Sequence, residues 1–84
     1  MERITVDGCE YEVCLEHDGD VIVVYDFAGN RIADAERDSA TEEVLYDYYG
    51  DCGVMEEFGG SAYDLYRLDS LDIAHWLAST HPRH

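Results

Sequence analysis

Three cysteines, Cys9, Cys14 and Cys52, and four histidines, His17, His75, His81 and His84, are the side chains best suited to hold a metal or to act as nucleophile and base. Cys14 or Cys52 with His17 or His75 would supply either chemistry if the fold joined them. Their spacing gives no sign of it. There is no Cys-x-x-Cys and no His-x-x-x-His, and Cys9 and Cys14, five apart, fall on opposite faces of a strand. An odd number of cysteines without a signal peptide also argues against a disulfide framework. These residues read as structural thiols and surface imidazoles, with His81 and His84 in a polar tail.

Carboxylates are the other chemical resource. A close pair can serve as general acid and base. With 20 Asp and Glu among 84 residues, however, such pairs arise everywhere and single out nothing. Asp18-Gly19-Asp20 is too short for a calcium loop, which needs about 12 residues with ligands at fixed positions. No nucleophile, base and orienting group assemble from the motifs. The expectation is a non-enzymatic protein with no metal and no cofactor.

The acids matter collectively. Against them stand five Arg and no Lys, for a formal charge of -15. Such a charge opposes folding by self-repulsion and draws the molecule to positively charged surfaces. It argues against binding anionic membranes or nucleic acid directly. A hydrophobic fraction of 46% is nevertheless that of a folded protein. No apolar run approaches the roughly 20 residues needed to span a bilayer, and Met1 to Val6 has no signal-peptide character. These features predict a single cytoplasmic domain over residues 1–84.

The elements that must position the acids follow from turns and periodicity. Asp7-Gly8, Asp18-Gly19 and Gly29-Asn30 recur at about 11-residue intervals, as in a meander of short antiparallel strands. From Cys9 to Glu16, Cys9, Tyr11, Val13 and Leu15 share one face, and Glu10, Glu12, Cys14 and Glu16 the other. From Asp20 to Phe27, Val21, Val23, Tyr25 and Phe27 alternate with Asp20, Ile22, Val24 and Asp26. A two-residue Asp18-Gly19 loop would set Val21, Val23 and Tyr25 beside the glutamates. A three-residue loop from His17, with Gly19 left-handed, aligns the two apolar rows instead. The second is preferred, and it predicts a core face of Tyr11, Val13, Leu15, Val21, Val23 and Tyr25. The opposite face is then Cys14, Ile22 and Val24 ringed by Glu10, Glu12, Glu16, Asp20 and Asp26.

Beyond residue 36 the pattern reads as helical. Ser39 to Glu42 resembles a capping box, and Ala40, Val44, Leu45, Tyr48 and Tyr49 follow at helical spacing up to Gly50. That helix would expose Glu42, Glu43 and Asp47. Gly53 to Gly60 reads as a loop with Glu56 and Glu57 exposed and Val54, Met55 and Phe58 inward. Ser61 opens a second helical stretch with Ala62, Leu65, Tyr66 and Leu68 apolar. Asp69 or Ser70 caps a last helix, Leu71 to Ser79, packed through Ile73, Ala74, Trp76 and Leu77. The expected fold is α+β: an antiparallel meander of three to four strands over residues 3–36, then two to three helices packed on one sheet face.

In size, acidity and an α+β layout bearing the strand acids Glu10, Glu12 and Glu16 and the helix acids Glu42, Glu43 and Asp47, the chain resembles phage-encoded DNA-mimic inhibitors. That class includes many anti-CRISPR proteins. Its members share no common motif, so the resemblance assigns no individual residue. It implies an inhibitor, monomer or homodimer, that engages a basic, nucleic-acid-binding surface of a CRISPR–Cas or nuclease complex. The residues expected to meet that partner are Glu10, Glu12, Glu16, Asp20, Asp26, Glu42, Glu43, Asp47, Glu56 and Glu57. Two alternatives stand beside it. One is adaptation to molar salt, which screens the repulsion and would leave the acidity silent about partners. The other is an antitoxin-like neutraliser of a basic toxin.

Overall fold

Alternation of inward and outward residues continues well past residue 36, and it decides the fold. The structure is a computed structural model describing residues 1–50 and 54–81; the side chains of residues 56–58 lie outside that description. Six strands, β1 (Glu2–Val6), β2 (Cys9–Glu16), β3 (Val21–Tyr25), β4 (Arg31–Asp38), β5 (Glu43–Tyr49) and β6 (Met55–Ala62), form one sheet in chain order. All neighbours are antiparallel. A helix, α1 (Ser70–Thr80), packs on one face across β1 to β4. The fold is thus a mixed one, dominated by strands.

This corrects the expectation of two to three helices after the meander. Among the described residues only the last of them is helical. The segment read as a helix from Ala40 is a hairpin loop, Ser39 to Glu42, followed by β5. There Val44, Tyr46 and Tyr48 face the core, while Glu43, Leu45, Asp47 and Tyr49 face away. Valine and tyrosine favour a pleated surface over a helix, where they lose side-chain freedom. A helix would also have stacked Glu43 on Asp47 one turn apart. The segment from Gly53 to Ala62, read as loop and helix start, contains β6, in which Val54 just before it and Met55 are exposed rather than inward. The remaining 63–69 segment is a chain of turns, with Tyr66 N–H donating to Tyr63 O and Leu68 N–H to Leu65 O. Leu65 is buried, as its apolar spacing suggested.

The register between β2 and β3 is also corrected. Glu16 pairs with Val21, Cys14 with Val23 and Glu12 with Tyr25. The intervening loop therefore has four residues, His17 to Asp20. An even count has the same consequence as the two-residue alternative: Val21, Val23 and Tyr25 stand beside the glutamates. His17, Asp18 and Gly19 take left-handed φ values of 51°, 58° and 90° in turn. Gly19 is needed there twice over, since a Cβ would also meet Ser70 Oγ at 2.7 Å.

The core consequently takes the other parity of β3, whereas on β2 Tyr11 and Val13 are core as expected and Leu15 is exposed. Val13, Ile22, Val24, Ala33, Ala35 and Val44 form its floor, and α1 covers them with Ile73, Ala74, Leu77 and Ala78. The helix places these four on one face by its own period. An irregularity opposite Val24 and Tyr25 lets Ile32 as well as Ala33 join the core. Trp76 closes the side, its ring 4.9 Å from that of Tyr46, edge to face. Arg37 ties the helix entrance to the sheet. Its guanidinium donates to Gly19 O, to Ser70 Oγ at 3.1 Å, to Tyr66 O at 3.2 Å and to Leu68 O.

Candidate functional site: the open face of the sheet

The face turned away from α1 carries most of the strand acids. Register places Glu10, Glu12, Cys14 and Glu16 of β2 beside Val21, Val23 and Tyr25 of β3. Next come Asp34, Glu36 and Asp38 of β4, then Glu43, Leu45 and Asp47 of β5. Strands lie about 4.8 Å apart, and same-face neighbours along a strand about 6.8 Å apart, so the carboxylates form a lattice rather than a cluster. One row across the sheet reads Glu16, Val21, Glu36, Leu45, Ser61; the next reads Cys14, Val23, Asp34, Asp47.

An apolar strip runs through this lattice. Val23 is buried at 7% exposure although no helix covers it, because its neighbours in the sheet shield it. Val21 and Tyr25 are half-buried beside it, and Leu45 is exposed. Val21, Asp34, Glu36, Leu45 and Asp47 line a shallow depression, and a second, formed by Leu45, Asp47, Gly59, Gly60 and Ser61, adjoins it. The face is therefore a broad, gently grooved surface.

Electrostatically the surface is under-compensated. Arg3 reaches Glu12 at 3.7 Å, with both side chains largely exposed, so the pair contributes little. Arg31 bonds to Asp34, which also accepts the Tyr49 hydroxyl at 2.9 Å. The Arg31 guanidinium stands 4.9 Å from the Tyr49 ring centre. Burial works against the Arg31 cation, but the charge of Asp34 and the hydrogen bond to it hold the guanidinium above its ordinary pKa. Burial, reinforced by the Asp34 carboxylate, pushes the Tyr49 phenol up as well. Glu10, Glu16, Glu36, Asp38, Glu43 and Asp47 make no ion pair among the described residues. Two cross-strand pairs, Asp34 with Asp47 and Asp38 with Glu43, set like charges directly opposite each other.

No protein-family model matches this chain, and neither a curated protein nor a solved structure does. What the surface can do must be read from its own residues.

Of the expected partner residues, the structure brings Glu10, Glu12, Glu16, Glu43 and Asp47 together on the open face. Their apolar centre is Val21, Val23 and Tyr25 with Cys14, in place of the expected Ile22 and Val24, which are core. Asp20 sits in the turn, 3.7 Å from Arg37. Asp26 shapes the β3–β4 turn, accepting from Asn30 N–H at 2.8 Å and from Asn30 Nδ2 at 3.2 Å. Glu42 lies in the β4–β5 loop with a left-handed φ of 55°, 3.7 Å from Arg67. Glu56 and Glu57 fall within β6, their side chains outside the described residues, as are Cys52 and His84. Asp34, Glu36 and Asp38 were missed. The alternation Ala33, Asp34, Ala35, Glu36 was the available signal.

Among the described residues no group of three His, Cys, Asp or Glu side chains converges to hold a metal. Cys9 is exposed and Cys14 half-buried, both as free thiols. His17 and His75 are surface residues, whereas His81 contacts Tyr49 O through Nε2 at 2.7 Å and fastens the end of α1 to β5. No helix is long and apolar enough to cross a membrane among the described residues.

Proposed function

We propose that the open face of the sheet is a protein-binding surface. It engages the basic, nucleic-acid-binding site of a CRISPR–Cas or nuclease complex and blocks nucleic acid from entering. The action is stoichiometric rather than enzymatic, and it takes place in the cytoplasm of the cell that holds the complex. One observation carries the reading: a sheet face left uncovered by the described residues, on which six carboxylates without ion pairs among those residues surround an apolar strip. Carboxylates repeated along a rigid sheet offer an Arg- and Lys-lined channel what a phosphate backbone offers, and complementarity of this kind mainly sets partner choice and association rate. The apolar strip supplies what a chain of phosphates lacks, a surface that gains from being dried.

The test is competition. Purified guide-loaded Cas complexes and nucleases are offered labelled DNA while this protein is titrated in, at 0.1 M salt. Joint reversal of Glu10, Glu12 and Glu16 to Lys is expected to abolish the competition, at least a hundred-fold in the concentration required. Joint reversal of Asp64 and Asp72, outside the sheet, should leave it within about two-fold. Equal effects from the two sets would mean that net charge acts without a surface, and the proposal would fall.

The like-charge pair Asp38–Glu43, neither member of which has an ion pair among the described residues, also favours a second reading, adaptation to molar salt. In that case the same face is merely solvated, and stability rather than binding depends on ionic strength.

A further inference from the structure

One end of the open face carries a feature that charge alone does not explain. Phe27 is 87% exposed at the tip of the β3–β4 turn. The turn that carries it is closed by several hydrogen bonds. Asp26 N–H donates to Asn30 O at 2.8 Å, Gly29 N–H to Asp26 O at 3.0 Å, and the Asp26 carboxylate accepts twice from Asn30. The ring forms one wall of a crevice whose other walls are Thr5, Gly8, Cys9 and Glu10, around the neighbouring Asp7-Gly8 turn. On its far side it borders Arg3, Glu10 and Glu12. Arg3 lies 3.7 Å from Glu12, and Glu10, which makes no ion pair among the described residues, lines both sides of the ring.

Resting on the protein-binding reading above, we infer that this crevice is the anchor point of the interface and takes an arginine side chain of the basic partner. The guanidinium stacks on the Phe27 ring and pairs with Glu10, while its methylenes cover Cys9 and Thr5. A planar, weakly hydrated cation suits a ring face and a carboxylate together better than a compact ammonium does.

The experiment uses the full chain and two probes, fluorescein-labelled nona-arginine and nona-lysine, in anisotropy titrations at 0.05 M salt. Nitrogen-15 spectra report where each binds. Nona-arginine should shift the amides of Thr5 to Glu10 and those around Phe27 most. Phe27→Ala should weaken it about five-fold, the worth of roughly 1 kcal/mol for an exposed cation–ring contact. Phe27→Leu should weaken it as much as Phe27→Ala, and nona-lysine should respond less to either. Unchanged nona-arginine binding in Phe27→Ala, with binding still lost on reversing Glu10, Glu12 and Glu16, overturns the anchor and leaves the acidic-face reading standing. Full rescue by Phe27→Leu overturns the arginine assignment. No binding of either probe to the native protein overturns both the anchor and the reading it rests on.

Discussion

The two faces of this sheet are built from the same strands and serve opposite ends. On the covered face, Val13, Ile22, Val24 and Val44 are fully buried in one core with Ile73 and Leu77 of α1. On the open face, the same strands present Glu12, Cys14, Val21, Val23 and Asp47. Folding free energy is concentrated on the first face. A fully buried Val, Leu or Ile contributes about 1.5–3 kcal/mol, whereas exposed ion pairs such as Arg3–Glu12 contribute well under 1 kcal/mol. The open face adds repulsion where Asp38 faces Glu43. A surface that weakens the fold and persists is explained by what it meets, either a partner or a salty solvent.

The division can be attacked from each side. The largest effect belongs to the covered face. Leu77 is fully buried against the sheet, so Leu77→Ala should cost about 2–5 kcal/mol in chemical denaturation, a large part of what an 84-residue domain holds in reserve. The fraction that remains folded should compete for the basic partner as the native protein does. A loss of competition beyond the loss of folded protein would mean that the helix side also binds, and the separation of the faces would break. The smallest effect belongs to the open face. Asp47→Asn removes one member of a like-charge pair whose other member, Asp34, is already paired with Arg31, and should raise stability by no more than about a few tenths of a kcal/mol at low ionic strength. That gain should shrink in 1 M KCl. A loss of stability at low salt would show that Asp47 is held by favourable contacts, and that this face is part of the structural ledger after all.

How much of this was legible in the sequence differs by region. β2, β3 and α1 were placed within a residue or two, because clean alternation, turn pairs and one strong helical stripe left little choice. β5 was not, because Val44, Leu45, Tyr48 and Tyr49 satisfy a helical period as well as a strand's over so short a span. Only the partnership with β4 and β6, which is non-local, resolves it. The face assignment turned on one residue of loop length between Glu16 and Val21. Gly19 is left-handed as anticipated, but the left-handed conformation starts two residues earlier, at His17. That a non-glycine run would adopt it could not be read from local preference. The acidic row on β2 was visible at once. Its continuation on β4 through Asp34, Glu36 and Asp38 was missed, although Ala33, Asp34, Ala35 and Glu36 alternate, because helical periodicity was expected from Ser39 onward and the row was not followed across the sheet.

The most direct measurement is a thermal melt of the native protein by circular dichroism, from 0.05 M to 3 M KCl. If the open face is kept for a basic partner, the covered face alone must suffice to fold the chain. The account predicts a cooperative transition well above room temperature already at 0.05 M, rising modestly with salt as repulsion is screened. A chain that is unfolded at 0.05 M and folds only in molar KCl would contradict it, because the charge would then be matched to the solvent.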